Sequence, residues 1–387
     1  MVSIIDSRVG PPAAVTDPVA RHGGGEVAHS RTLENHLDRW AFGGAAGAAG
    51  AASAAVATIV ASLARTATRV AKLIAGGRLS GDFGTIVGAT PEGDAQKALD
   101  VQANELFLDG LQTTPVAVLG SEENDEPICL NKGAPFAIAI DPLDGSSNVD
   151  TNISVGTIFS IMPTATTISM AAADRSCPLE ALLQPGSRQV AAGFFVYGPQ
   201  TVLVLTVGEG TQIFTLDRAS DRFLLTHERV VIPDESSEYA INASNCRHWN
   251  QPIRSYINDC VAGADGPRGK DFNMRWLASV VAEAFRILMR GGIYLYPGDA
   301  RPGYAQGRLR LVYEANPIAC LIEQAGGAAT DGEHRILDLT PDRLHQRVPL
   351  VFGSSSKVDR VARYHVEPPA ASETSPLFGD RGLFQVR

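Results

Sequence analysis

Eight consecutive residues carry the strongest chemical signal in this chain: Asp141-Pro142-Leu143-Asp144-Gly145-Ser146-Ser147-Asn148. They follow FAIAI (136–140), a run apolar at every position and therefore expected as a strand buried on both faces. Pro142 is expected to stop that strand and fix a turn. Two carboxylates at a strand's end can face one point, as hard divalent cations require. Gly145 admits close backbone approach to a ligand. Ser146-Ser147-Asn148 is placed to open a helix, with hydroxyls and free N–H groups facing an anion. Metal ligands running directly into an anion-binding turn suit metal-assisted chemistry on a phosphate ester. D-P-x-D alone would read as an Asx turn with ordinary capping; the full string selects the site.

Further acids stand where the architecture can deliver them. Glu122 and Glu123 follow PVAVLG (115–120), Asp94 and Asp100 bracket the start of an expected helix (95–111), and Glu314 closes RLRLVYE (308–314), expected as a strand. Each has an ordinary alternative. Adjacent glutamates are usually solvated, and aspartates at a helix start serve as caps and dipole partners. Together they could hold two or three Mg²⁺ ions.

These groups need elements to position them. Helical periodicity runs from about Thr32 to Ile74, and 76–94 is expected as a long loop. Strand-like runs follow at PVAVLG, FAIAI, ISVGTIFSIM, GFFVYG, TVLVLTVG and TQIFTL, the last two joined by a Gly208-Glu209-Gly210 hairpin turn. A second region opens near Val230, with strands at YAIN and GIYLYP and helices over 276–289 and 316–325. The expected organisation is a flexible tail (1–28), an N-terminal domain (29–228), a C-terminal α/β domain (229–365) and a loose tail (366–387).

Composition bounds the function. Of 387 residues, 44% are hydrophobic and 19% charged, which excludes a disordered chain, a collagen-like repeat and a disulfide-stapled miniprotein. The net charge of −9 argues against nucleic acid or any generic polyanion as partner, so phosphate must be met by local cations. Five cysteines, none in a CxxC pair, indicate neither a disulfide framework nor a zinc knuckle, and no secretory signal opens the chain. A reducing cytoplasm is the expectation. Trp40–Ala64 lacks charge and is long enough to span a bilayer. Val56, Ile59, Val60 and Leu63 instead follow helical spacing, continued by Ala67 and Val70 past Arg65 and Arg69, which reads as a soluble amphipathic helix rather than a membrane anchor.

The constellation resembles type I fructose-1,6-bisphosphatase in its bacterial form, over roughly residues 32–362. GDAQKALD, SEEN, DPLDGSSNVDTNISVGTIFSI, LQPG…VAAGFFVYG, MRW…GGIYLYP, GRLRLVYEANP and AGGAATDG occur in the family's order. Inositol monophosphatases share the D-P-x-D-G string, but their W-D-x-A-A-G motif is absent. The resemblance implies a layered α-β-α-β-α sandwich of two α/β units, the first metal-binding and catalytic, the second holding sugar phosphate. It implies hydrolysis of the 1-phosphate of fructose 1,6-bisphosphate in carbohydrate metabolism (gluconeogenesis or the Calvin cycle). Mg²⁺ is the implied cofactor, two or three per subunit with Mn²⁺ able to substitute.

Position by position, it implies metal ligation by Glu122, Asp141, Asp144, Glu314 and the Leu143 carbonyl, with Asp94 joining when its loop closes. Asp100 and Glu123 would activate the attacking water. Asp144, Gly145, Ser146 and Ser147 would hold the 1-phosphate or adjacent sugar groups. Asn242, Tyr296 and Arg308 would bind the sugar and its 6-phosphate, with Arg275 supplied by a neighbouring subunit of a homotetramer. Plainer alternatives are a surface charge at Arg275, alternating strand residues at Arg308 or Arg310, and a packed aromatic at Tyr296. Arg308 replaces the family's commoner lysine, and Asn245 and Trp276 replace tyrosines of animal members.

Regulation is expected to differ. The N-terminal helix lacks the Gly-Thr-Gly-Glu turn, and Pro135, Phe136 and Pro163 stand where animal members carry Lys, Tyr and Arg. Weak or absent AMP inhibition follows. Cys177 stands alone in ADRSCPLEALLQPG, so no thioredoxin switch is expected. Two rival functions are an enzyme acting also or chiefly on sedoheptulose 1,7-bisphosphate and a non-catalytic sugar-phosphate sensor; retention of every candidate carboxylate argues against the sensor.

Overall fold

The computed structural model describes residues 32–43, 48–81, 84–89, 95–164 and 179–366. The first periodic stretch forms two helices, α1 (Leu33–Phe42) and α2 (Ala48–Gly76). Thr32 caps α1, its hydroxyl oxygen accepting the Asn35 N–H at 3.3 Å. On α2 the expected stripe of Val56, Ile59, Val60, Leu63, Ala67 and Val70 is buried. A helix apolar and long enough to cross a bilayer thus serves as a core helix, with half of its apolar window covered by protein.

The expected loop at 76–94 is partly a hairpin. β1 (Ile86–Ala89) pairs antiparallel with β2 (Ala95–Lys97), and the helix expected from Ala95 begins at Ala98 as α3 (Ala98–Leu111). β-branched Ile86 and Val87 favour the extended chain. Next come β3 (Val116–Ser121), β4 (Ile128–Cys129), β5 (Phe136–Asp144), β6 (Val155–Pro163), β7 (Ala191–Tyr197), β8 (Thr201–Thr206), β9 (Thr211–Asp217) and β10 (Arg222–Val230). They form one sheet in the order β10-β9-β8-β7-β6-β5-β3-β4, antiparallel except for the β3–β5 pair.

The chain then adds β11 (Glu238–Ala240), α4 (Gln251–Val261), β12 (Asn273–Met274), α5 (Val280–Arg290), β13 (Ile293–Tyr296) and β14 (Leu309–Arg310). It ends with α6 (Asn316–Gln324), β15 (Ala328–Thr330), β16 (Arg347–Val348), β17 (Leu350–Gly353) and α7 (Ser355–Val366). The second sheet has the order β12-β11-β13-β17-β15.

Alternation along the strands builds the layers. Phe136, Ile138, Ile140 and Phe195 pack on α1, α2 and α3. Phe194, Val202 and Val204 point the other way, onto α5 and α6. Those helices are covered in turn by Tyr294, Leu350 and Phe352 of the second sheet. Ile293, Leu295 and Val351 on its far face meet Ile253 and Tyr256 of α4 and Val358 and Val361 of α7. The result is the expected α-β-α-β-α sandwich.

Three local expectations are corrected. Pro142 does not stop its strand: β5 runs on to Asp144 through an irregularity in register, where a missing N–H removes no ladder bond. RLRLVYE is not a strand beyond Arg310, because Leu311–Ala315 winds into a π-helical turn that leads into α6. The cysteines are not all independent thiols. Cys246, Cys260 and Cys320 are free, but Cys129 is disulfide-bonded. Cysteine usage therefore says nothing about compartment. The N-terminal tail, Asp94, Cys177 and the loose C-terminal tail also lie outside the described residues.

Candidate active site

Residues three apart on a regular strand face opposite sides of the sheet. Asp141 pairs with Ile158 and Asp144 with Gly156, so three steps on β5 match two on β6. That one-residue bulge puts both aspartates on the same side. Leu143 holds the bulge: its N–H donates to Asp141 Oδ1 at 3.0 Å, and its side chain is buried in the α1–α3 layer. The Thr157 hydroxyl donates to the Pro142 carbonyl at 2.8 Å.

The π-helical turn brings Glu314 to the same point. Its Oε2 accepts the Arg310 N–H at 2.6 Å. Carboxylate oxygens of Asp141, Asp144 and Glu314 all lie within 4.8 Å of one another, and all three residues are buried. Burial first, then Glu122, Asp144 and Glu314, push the Asp141 carboxyl well above its usual range. Burial first and then Glu122 do the same to Glu314. Asp144 rises to about 7, again chiefly by burial. Oxygen donors so crowded suit a hard divalent cation, which removes both repulsion and desolvation. The residues present fit such a metal.

Glu122 and Glu123 follow β3 directly, the Glu122 N–H donating to the Ile140 carbonyl at 3.0 Å. Glu122 is ion-paired to buried Arg310 at 2.5 Å. Glu123 accepts from Gln96 of β2 at 2.5 Å. Burial, assisted by Asp100 and Glu122 and opposed by Gln96, raises its carboxyl to about 7. Asp100 combines two readings. One oxygen caps α3 by accepting the Lys97 N–H at 2.7 Å, while Oδ1 is buried without a hydrogen bond among the described residues. Burial raises Asp100 to about 6, against the Lys97 N–H and the Ser146 hydroxyl.

Beyond Asp144, Gly145 adopts φ 75°, a left-handed turn that suits glycine, and Ser146–Thr151 forms a 3₁₀ helix. Ser146 is half-buried, Ser147 is exposed, and Asn148 is buried, donating to the Ala278 carbonyl at 2.9 Å. Asp144 Oδ2 is held by the N-terminus of α5: the Ser279 hydroxyl donates at 3.4 Å and the Val281 N–H at 3.2 Å. The turn before α5 contains Ala278 at φ 53°. Fully buried Glu283 accepts the Leu277 N–H at 2.8 Å and pairs with Arg286 at 2.9 Å.

The remaining candidates are spread along the second sheet. Asn242 follows β11 and caps a short 3₁₀ helix, accepting from the Ser244 N–H at 3.2 Å and the Ser244 hydroxyl at 2.6 Å. Tyr296 ends β13 with its ring 5.8 Å from that of Trp276. Burial raises its hydroxyl above the usual value, and nearby Arg308 opposes that. Arg308 is exposed. Arg275 is half-exposed, and its Nε lies 3.4 Å from Glu238 of the same chain. No described contact joins Arg275 to Tyr296 or Arg308.

Gln96, Ser279 and Val281 were not singled out from sequence, because each acts through a fold contact with a distant residue, and Glu283 was missed because it acts through the backbone of a turn. Arg310 had a signal that the strand reading hid. An arginine between Leu309 and Leu311 in an apolar run is rarely buried unless paired.

Two family models match the chain, fructose-1-6-bisphosphatase N-terminal domain over 44–228 and C-terminal domain over 232–366. A class 1 fructose-1,6-bisphosphatase of Rhizobium meliloti is 55% identical over 325 residues, covering 84% of this chain and 91% of that protein. One from Nitrobacter hamburgensis is 57% identical over 327 residues, covering 84% and 92%. The crystal structure of Leishmania major fructose-1,6-bisphosphatase in holo form superposes with TM-score 0.79 at 34% identity, covering 87% of this chain and 99% of that one. A sandwich built around clustered buried acids and matched across both its sheets places this chain in the class 1 fructose-1,6-bisphosphatase family.

Proposed function

We propose that this chain hydrolyses the 1-phosphate of fructose 1,6-bisphosphate, releasing fructose 6-phosphate and inorganic phosphate. The observation that carries it is the buried Asp141–Asp144–Glu314 cluster opening onto the Gly145-Ser146-Ser147 turn, in a chain of this family. Asp141, Asp144, Glu314, Glu122 and the Leu143 carbonyl hold Mg²⁺, two or three ions per subunit, with Mn²⁺ able to substitute. Glu122, paired with Arg310 in the metal-free chain, would be the fourth carboxylate to hold it. When bound, the ions draw charge from the phosphate oxygens and make water a better nucleophile. Asp94, which precedes β2 in the sequence, adds a further ligand.

Asp100 and Glu123 take the proton from the attacking water. Carboxyls at about 6 and about 7 are poised for that at neutral pH. The Gly145–Ser147 turn offers N–H groups and hydroxyls to the 1-phosphate. Asn242, Tyr296 and Arg308 hold the sugar and its 6-phosphate, with Arg275 reaching in from a neighbouring subunit of a homotetramer. Phosphate release should appear with fructose 1,6-bisphosphate, require Mg²⁺, and be abolished by EDTA. Phosphate release unaffected by metal removal would sink the metal assignment, and equal turnover of inositol monophosphate would sink the substrate.

A further inference from the structure

We propose that Tyr304 is a positioning residue that aims Arg308 at the distal phosphate and thereby sets the preference for a sugar carrying two phosphates. The proposal rests on the reading of Arg308 given above. Tyr304 lies in the loop between β13 and β14, and two guanidinium groups sit over its ring. Arg301 is 4.5 Å and Arg308 4.9 Å from the ring centroid.

The two arginines differ. Arg301 is neutralised by Asp299: its Nε donates to the two carboxylate oxygens at 2.9 and 3.1 Å, and its Nη2 also reaches Oδ2. Arg308 has no ion pair among the described residues. It lies over the Tyr304 face and meets the Tyr296 hydroxyl. Its charge and the free edge of its fork are therefore left for a ligand.

The ring itself is held in place. The Tyr304 N–H donates to the Arg301 carbonyl at 3.0 Å, and its own carbonyl accepts from the Asp299 and Gly307 N–H groups, each at 3.0 Å. The Ala300 N–H donates to the His248 carbonyl at 3.1 Å, and Asp299 forms a bridge with Trp249, tying the loop to the segment before α4. Gly303 at φ 82° and Gly307 at φ 73° make the two reversals that the loop needs.

An exposed arginine samples many rotamers, and ordering it on binding opposes affinity. Stacking on an aromatic face removes much of that freedom before substrate arrives and leaves the donors of the fork unused. A planar guanidinium at 308 can use such a platform and present two parallel donors to phosphate, whereas an ammonium is a point charge without a plane.

The test compares wild type, Tyr304→Ala, Tyr304→Phe, Arg308→Ala and the Tyr304→Ala/Arg308→Ala double variant. The substrates are fructose 1,6-bisphosphate and fructose 1-phosphate at saturating Mg²⁺, with thermal melts alongside. Tyr304→Ala should raise KM for the bisphosphate roughly threefold to fivefold with kcat nearly unchanged. It should leave fructose 1-phosphate kinetics unaltered, and Tyr304→Phe should restore KM. The double variant should be no worse than Arg308→Ala, since Tyr304 acts only through it. Unchanged KM in Tyr304→Ala beside a raised KM in Arg308→Ala would overturn the role of Tyr304, as would additive effects in the double variant. Unchanged KM in Arg308→Ala would instead remove the reading of Arg308 and the proposal with it.

Discussion

At one end of the proposed site, Asp141, Asp144 and Glu314 lie only 3%, 7% and 5% exposed, on a bulged strand in the first sheet and a π-helical turn. At the other end Arg308 stands exposed on the arm of a loop, steadied by one aromatic face. The acids repel one another in a poorly solvated place and are held there by backbone geometry. The arginine pays no comparable desolvation, and its head is placed by the Tyr304 face and the Tyr296 hydroxyl. Buried like charges concentrate a field that a cation relieves, which suits the bond-breaking end. An exposed cation on a loop gives affinity and discrimination instead. Perturbing the first end should therefore damage turnover, and perturbing the second should damage KM.

The largest effect tests that division directly. Asp141→Asn removes a charged donor from the acid cluster and should lower kcat by roughly a thousandfold, as loss of several kcal/mol of metal-centred stabilisation requires. The same change should raise the melting temperature of the metal-free protein at pH 8, because it relieves repulsion. If Arg308→Ala lowered kcat as much while Asp141→Asn mainly raised KM, the two ends would have been assigned the wrong way round.

Glu283 supports the first end, since its buried carboxylate accepts the Leu277 N–H in the turn that delivers Ser279 and Val281 to Asp144. Glu283→Ala strands Arg286 with Glu238 alone and should cost about 3 kcal/mol of stability. It should also weaken Mg²⁺ binding, read as a smaller metal-induced rise in melting temperature. Ala278→Gly relieves the left-handed backbone at φ 53° and should stabilise by about 1 kcal/mol. An unchanged metal response in folded Glu283→Ala would show that the turn does not govern Asp144.

pH separates the two ends more gently. Asp100, Glu123 and Asp144 stand at about 6, about 7 and about 7 in the folded metal-free chain, above their ordinary values near 4. The folded state therefore keeps protons that the unfolded state has released. Their contribution to stability is full below pH about 4 and is lost as pH rises through 6 to 7. Melting of EDTA-treated protein should show stability falling between pH 5 and 8, and Mg²⁺ should stabilise most at the upper end. A metal-free protein growing more stable across that range would contradict the acid cluster's geometry.

How far the sequence anticipated this follows the same contrast. FAIAI running into DPLDGSSN announces a buried strand and its acids, because local pattern and local chemistry coincide there. The layered architecture and the stripe on α2 were legible for the same reason. The bulge was not, since it depends on the register with β6, and Pro142 alone reads as a stop. Glu314 joins the buried acid cluster but not as a strand end, because Val312 and Tyr313 are as good in a π-helical turn as in a strand. α4 and α7 were missed. Their apolar residues are few, and the sheet that buries them comes from elsewhere in the chain. Arg310 and Gln96 matter through partners 188 and 27 residues away, and Glu283 through the backbone of a turn that no local pattern announces.

The smallest expected effect is none at all, and it concerns the far end of the strand that carries the acids. β5 begins at Phe136, which is buried and paired in register with Pro163 of β6. The Pro135 carbonyl accepts the Thr164 N–H at 2.9 Å, and the Pro163 carbonyl accepts from Gln184 at 3.0 Å. The three positions where basic and phenolic groups serve AMP in animal relatives thus meet here as two prolines and a phenylalanine. They offer neither positive charge nor a hydroxyl to a nucleotide phosphate. Turnover at saturating Mg²⁺ should be unchanged by AMP at micromolar concentrations. Strong inhibition there would mean that AMP binds elsewhere, and competition against fructose 1,6-bisphosphate would then tell whether it had taken the place of a substrate phosphate.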